Sequence, residues 1–367
     1  MNPYIYERPD WPHFRWDRQR LAEPLAAIGR QQGRFIGHME SLGFRLREDA
    51  VLRTLTTDVL STSAIEGERL NAETVRSSIA RRMGVEIAGL KPADRNVEGV
   101  VEMTLDATRN YAAPLDAERL FGWHAALFPT GRSGILRIRT GAWRDDHAGP
   151  MQVVSGPIGR ETVHYEAPAA ARLEQEMAAF FRFLNGDDAA DPVFRAALAH
   201  LWFVTIHPFE DGNGRIARAI ADMQLARSDE SSQRFYSMSR QISEERDAYY
   251  ETLARVQRGT MDITFWMEWF LGCLGRSIRR AQETMETVLA KARVWESLRS
   301  VSLNDRQREM LNRLVDGFEG NLNTVKWAKL MKCSHDTALR DIRELLAHGI
   351  LKQNPGGGRS TSYALVI

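Results

Sequence analysis

At 367 residues and 43% hydrophobic composition, the chain is long enough to bury a large core, and its length points to two or three structural units. Lysine plus arginine number 49 against 48 aspartate plus glutamate, which excludes a protein coated throughout for nucleic acid or for a membrane surface, so any basic site must be local. Two cysteines, Cys273 and Cys333, stand far apart without CxxC or Cys/His spacing; this argues against a disulfide framework and structural zinc, and fits a reducing cytoplasm.

The opening MNPYIYERPDWPHFRWD has no apolar signal core, and the longest apolar run, around AALAHLWFVTI, is short for a membrane span. The sequence therefore reads as cytoplasmic, with no membrane partner. From Asp17 to Leu60 apolar residues recur at helical spacing, for example Leu21, Leu25 and Ile28, then Val51, Leu52, Leu55 and Val59. In TSAIEGERLNAETVRSSIARR the pattern continues, with Gly67 placed to end one helix and Asn71 to cap the next. GLKPADRNVEGVVEMTLDA is a break followed by another helix.

Residues Gly131 to Pro168 are rich in glycine and proline, and the β-branched pieces MQVV and TVHY flank SGPIG. This predicts a loop and a β-hairpin inserted in a helical domain, and so long an excursion is usually functional. DPVFRAALAHLWFVTI is apolar on nearly every side, as expected of a central helix. Helical patterns then run to about Ser300. Beyond it three short helices are predicted (Arg306 to Val315, Thr324 to Met331, His335 to His348), followed by two short strands about a glycine-rich turn, the plan of a winged helix-turn-helix.

The segment HPFEDGNGRIAR, residues 207–218, carries the most chemistry. Pro208 stops the preceding helix, Gly212 and Gly214 let the backbone turn with its N–H groups exposed, and a helix restarts near Asn213 with Ile216, Ile220 and Met223 buried. Backbone donors at a helix N-terminus attract an anion, and Arg215 and Arg218, one turn apart, add positive charge. His207 at the lip is suited to take a proton from a hydroxyl, and Asp211 offers a hard oxygen ligand for Mg²⁺ bridging nucleotide phosphates. Phe209 is expected to point inward. A zinc reading of His207 and Asp211 fails for want of further nearby ligands.

This segment matches the motif of the Fic family, HxFx(D/E)GNGRxxR, at every defined position: His207, Phe209, Asp211, Gly212, Asn213, Gly214, Arg215 and Arg218. The resemblance implies an all-helical Fic core, a flap at about 148–165 that docks a protein target by strand addition, and AMP transfer from ATP to a Ser, Thr or Tyr hydroxyl. Under it His207 is the base, Asp211 holds Mg²⁺, and the Gly212 to Gly214 amides with the Asn213 side chain hold phosphate oxygens, while Arg215 and Arg218 neutralise the outer phosphates. A glycine at 214 favours AMP transfer over phosphorylation. LFGWHAALFP followed by GILRIRTGAWR looks like the stretch that precedes the flap in this family.

TSAIEG, Thr62 to Gly67, resembles the inhibitory-helix pattern of the same family, (S/T)xxxE(G/N). Thr62 and Glu66 share a helix face, so Glu66 is expected to reach the cradle, pair with Arg218 and compete with the γ-phosphate, or else to position a water that removes AMP. The tyrosine pair Tyr249 and Tyr250 also fits the family, and Tyr249 is expected at the nucleotide. Glu245 departs from it, because an asparagine is expected before the arginine there.

The domains that follow are 1–95, helical with the inhibitory helix; 96–300, catalytic; and 301–367, a winged helix-turn-helix. Residues 303–367 hold ten Lys/Arg against seven Asp/Glu, and Asp336, Asp341 and Glu344 on the last helix are expected to repel phosphates. DNA contact and protein contact through that module stay open, as does a homodimer. The rival functions are a DNA-binding regulator with a nucleotide-sensing core and an enzyme that chiefly removes AMP.

Overall fold

A computed structural model of the chain describes residues 3–86, 89–147, 149–155, 160, 162–186, 191–298, 301–315, 318, 320–355 and 361–366. These form fourteen α-helices and six short strands, in two compact units, 1–281 and 282–367. No helix among the described residues is long and apolar enough to cross a membrane.

In the first unit α1 (Arg18–Glu40) and α2 (Phe44–Ile65) bury the apolar positions read from the sequence, among them Leu21, Ile28, Val51, Leu52, Leu55 and Val59. α2 ends at Glu66 and Gly67 takes φ +84°, while the Asn71 side chain accepts the N–H groups of Glu73 and Thr74 to start α3 (Ala72–Met83). α4 (Arg95–Arg109) and α5 (Ala117–Leu127) follow. Then come two small antiparallel pairs: β1 (Arg132–Ser133) with β2 (Leu136–Arg137), and β3 (Gln152–Ser155) with β4 (Thr162–Glu166). The second is the expected hairpin; 156–159 and 161, at its tip, lie outside the described residues. The first pair was not foreseen.

After α6 (Leu173–Asn185), the chain enters the centre of the unit. α7 (Pro192–Ile206), with Asp191 as its cap and proline at its first turn, is buried at every position from Val193 to Ile206 except Arg195. It packs along α8 (Asn213–Asp229), whose Ile216, Ile220 and Met223 are fully buried as expected. α9 (Met238–Glu244) lies on α2, and α10 (Arg246–Gln257) and α11 (Thr264–Ser297) complete the unit, whose boundary falls within α11.

The second unit has α12 (Asp305–Val315), α13 (Thr324–Leu330) and α14 (His335–Ala347), then an antiparallel pair, β5 (Leu351–Gln353) and β6 (Tyr363–Leu365). Its core is built on Met310, Leu311, Leu322, Trp327, Ile342 and Leu345. Element order and bounds match the sequence reading to within one or two residues, and residues 356–360 of the glycine-rich turn lie outside the description.

Candidate active site

The loop between α7 and α8 is braced from three sides. His207 ends α7 in the left-handed region, φ 51°, a conformation that costs a non-glycine residue energy and must be held by its surroundings. Arg144 holds it: its backbone N–H donates to the carbonyl of Pro208 (2.9 Å), and its buried guanidinium donates to the carbonyls of His207 (2.8 Å) and Pro168 (2.5 Å) and pairs with Asp146 (3.0 Å). Asn213 closes the loop on itself, accepting the Phe209 N–H at 3.0 Å and donating to the Phe209 carbonyl at 2.8 Å. Phe209 is fully buried under the His124 ring, stacked at 4.2 Å. The N–H of Gly141 donates to His124 Nδ1, so Nε2 carries the proton and donates to the Asp211 carbonyl (3.2 Å). Gly212, φ +79°, allows no side chain, because a Cβ there would lie 2.9 Å from the Phe128 ring.

Replacing Arg144 by methionine leaves two carbonyls and Asp146 without their partner. We expect a loss of about 2–4 kcal/mol in denaturant unfolding, and no rescue by Arg144→Lys, whose ammonium cannot span the fork. An unchanged midpoint would show that the brace is dispensable.

The catalytic candidate itself is oriented by one bond. His207 Nδ1 lies 3.2 Å from the Val204 carbonyl and is therefore the protonated nitrogen, which leaves the lone pair on Nε2. Burial pushes its pKa down to about 4, against the opposing pull of that carbonyl, so the ring is neutral at neutral pH. Burial likewise lowers His124 to about 4 and His200, bonded to the Tyr249 hydroxyl at 2.8 Å, to about 3. In the unfolded chain all three titrate near ~6.5. Because the folded values lie below the unfolded ones, the unfolded chain binds more protons as pH falls from 6.5 toward 4, and stability drops by up to about 4 kcal/mol per pH unit at its steepest. Melting temperatures recorded from pH 7 to pH 5 should fall accordingly; a flat profile would contradict buried neutral histidines.

Opposite His207, Glu66 reaches the loop from the end of α2. Its Oε1 accepts from Arg218 Nη2 at 2.7 Å, while Arg218 also donates to the Thr62 hydroxyl (2.7 Å) and carbonyl (3.0 Å). Burial disfavours the Arg218 charge, but Glu66 beside it holds its pKa above the ordinary value. The same carboxylate lies directly over Gly214: a Cβ there would come within 2.2 Å of Glu66 Oε1 and 3.2 Å of Arg218 Nη1. Glu66 thus sits on the bare backbone at the start of α8 that suits an anion. Arg218 Nη1 is buried without a hydrogen-bond partner among the described residues.

These groups open onto a cleft of about 620 Å³, within the ordinary range for a small-molecule site. His207, Asp211, Gly212, Asn213, Gly214, Arg218, Tyr249 and Glu66, all singled out in the sequence, line it. Arg215 does not: it turns away to pair with Glu68 at 2.9 Å and stands over the Phe128 ring, a correction to its expected place at the phosphates. The Asn213 side chain is likewise committed to Phe209, so what it offers an anion is its backbone N–H. Tyr249 is only 2% exposed and tied to His200, whereas Tyr250, 38% exposed with Arg246 over its ring, is the more open wall. Glu245 faces α11, bonded to Arg276 at 2.5 and 2.6 Å, so the departure from the family pattern lies outside the cleft. Ser133, whose hydroxyl donates to Asp211 Oδ2, was missed with Arg144 and His124, because only the folded chain brings them to the loop.

Residues 114–225 match the model described as Fic/DOC family, and residues 4–85 match a domain of unknown function (DUF4172). Among curated proteins, one from Caenorhabditis briggsae named protein adenylyltransferase fic-1 is 43% identical over 219 residues, 58% of this chain and 40% of its own. One from Nematostella vectensis named protein adenylyltransferase Fic is 35% identical over 113 residues, 30% of this chain and 25% of its own. The chain thus spans less than half the length of these curated relatives. A solved Fic family protein from Desulfovibrio desulfuricans G20 shares the fold, with a TM-score of 0.52 at 21% identity over 94% of this chain and 96% of that one. Motif and family model coincide on the loop between α7 and α8, within the residues 114–225 that match the Fic/DOC family.

Proposed function

We propose that this chain is a cytoplasmic protein adenylyltransferase that moves AMP from ATP to a Ser, Thr or Tyr hydroxyl of a target protein or of itself, restrained by Glu66. The observation that carries this reading is the juxtaposition, in one cleft, of an unprotonated His207 Nε2 with the backbone amides of Asn213 and Gly214 at the start of α8 and the unpartnered Nη1 of Arg218. The target hydroxyl gives its proton to His207 Nε2, and its oxygen bonds to the α-phosphorus. The bond from that phosphorus to the bridging oxygen breaks, and pyrophosphate leaves. The loop amides and Arg218 meet the charge on the phosphate oxygens.

Mg²⁺ fits this site as an ion carried in with the nucleotide. Asp211 turns a single carboxylate into the cleft, the usual protein share when phosphates and water complete the shell, and the described residues hold no cluster of three or more metal-ligating side chains. Bound there it would screen the phosphate charge. The hairpin β3–β4 is two-stranded, so each strand keeps an outer edge, and Val154 and Val163 are 47% and 40% exposed, which supports target docking by strand addition. Mass spectrometry of Glu66→Gly protein incubated with ATP, alone and with a cell lysate, tests the reading. A phosphate-linked adenosine on a hydroxyl side chain is expected, whereas phosphate alone, or no adduct on any protein, would refute it. Loss of activity in that variant would instead favour AMP removal by a water held at Glu66.

A further inference from the structure

The second unit presents a face of exposed cations, and one of the acids on its helix α14, Asp341, is turned inward. α14 buries Ala338, Ile342 and Leu345 completely, and Asp341 lies on the same side, 2% exposed. Its carboxylate takes two bonds from Arg306 (2.8 and 3.0 Å) and one from Asn304 (2.9 Å), while Glu344 accepts from Gln307 at 2.8 Å. Two of the three acids expected to repel phosphates are therefore committed to α12 or the turn before it, and Asp341 is hidden altogether. What α14 shows outward is Arg340 and Arg343, with Asp336 and Glu344. Lys329 on α13, Lys332 in the turn between the helices and Lys352 on β5 are exposed as well, and none of these five cations has a carboxylate partner among the described residues.

We propose that this face binds duplex DNA, with α14 as the helix that enters the major groove. Five unpaired cations on a two-helix turn and its adjoining strand complement a phosphate backbone, and a 13-residue helix of ordinary diameter fits a groove about 12 Å wide. Arg340 and Arg343, one turn apart on the outer side, meet the phosphates along the walls of the groove, and the lysines meet the flanking phosphates. The inference is independent of the chemistry proposed for the cleft.

The test uses the full-length chain and a fluorescent 30-base-pair duplex of mixed sequence, with binding followed by anisotropy between 50 and 200 mM salt. Five phosphate contacts predict a log–log slope of about −4.5, or roughly 500-fold weaker binding across that range. The Arg340→Ala/Arg343→Ala variant changes only exposed side chains, and should keep its melting temperature, bind at least about tenfold more weakly at 50 mM salt and lose about 2 from the slope. No binding at 50 mM salt, or a variant that binds like the parent, would overturn the proposal. Binding of polyglutamate without binding of the duplex would also overturn it, in favour of an acidic protein partner.

Discussion

Replacing His207 by alanine in a chain already freed of Glu66 is expected to lower AMP transfer by about 10²–10⁴ while leaving ATP affinity nearly unchanged. The neutral ring offers its Nε2 lone pair to the hydroxyl proton, because Nδ1 is committed to the Val204 carbonyl. In the proposed reading the phosphates are held by other groups: backbone amides, Arg218 and Asp211. Rate and affinity should therefore separate, with kcat collapsing and the ATP dissociation constant unmoved. The left-handed backbone at 207 argues for His207→Asn as a second variant, since asparagine tolerates that region best among non-glycine residues. If both variants retain transfer within a fewfold, the base is elsewhere.

The second large effect is in the opposite direction. Glu66→Gly should raise the transfer rate on the order of a hundredfold, the scale of a coupling worth about 2–3 kcal/mol between two occupants of one seat. The pairing is close (2.7 Å), Arg218 is 2% exposed, and the carboxylate lies over the Gly214 backbone where phosphate oxygens would otherwise approach. Under the proposed function, ATP and Glu66 compete for the same guanidinium. Removing Glu66 also leaves a buried arginine without its counter-charge, so the variant should melt a few degrees lower unless nucleotide is present. Glu66→Gln, which keeps a hydrogen bond but not the charge, should fall between. A rate unchanged by Glu66→Gly would mean that the pair is structural.

Much of this site was legible in the sequence because its parts are local. Helix stop, glycine turn and helix restart all lie within 207–218, and a carboxylate one turn after Thr62 at a helix end is equally a local pattern. The Glu66–Arg218 contact was reachable only because the family resemblance linked the two segments. What escaped is what tertiary approach decides. Arg144 reads as one more basic residue in a glycine-rich loop, yet it ties His207 to Pro168. Two arginines one turn apart look equivalent, but TSAIEGE carries a second glutamate, and Glu68 draws Arg215 away from the cleft. In the second unit the element order was fully readable from periodicity and turns, whereas the burial of Asp341 under Arg306 was not, since a charged residue on a helix is ordinarily solvated. That one burial takes the exposed face of α14 from three acids against two arginines to two against two.

The most direct single measurement is to incubate Glu66→Gly protein with Mg²⁺ and ATP labelled in the α-phosphate, and in parallel with ATP labelled in the γ-phosphate, and to count label on protein. Label from the α position alone, lost when His207→Ala is added, is the predicted result. Label from the γ position, or none from either, would contradict AMP transfer at this cleft.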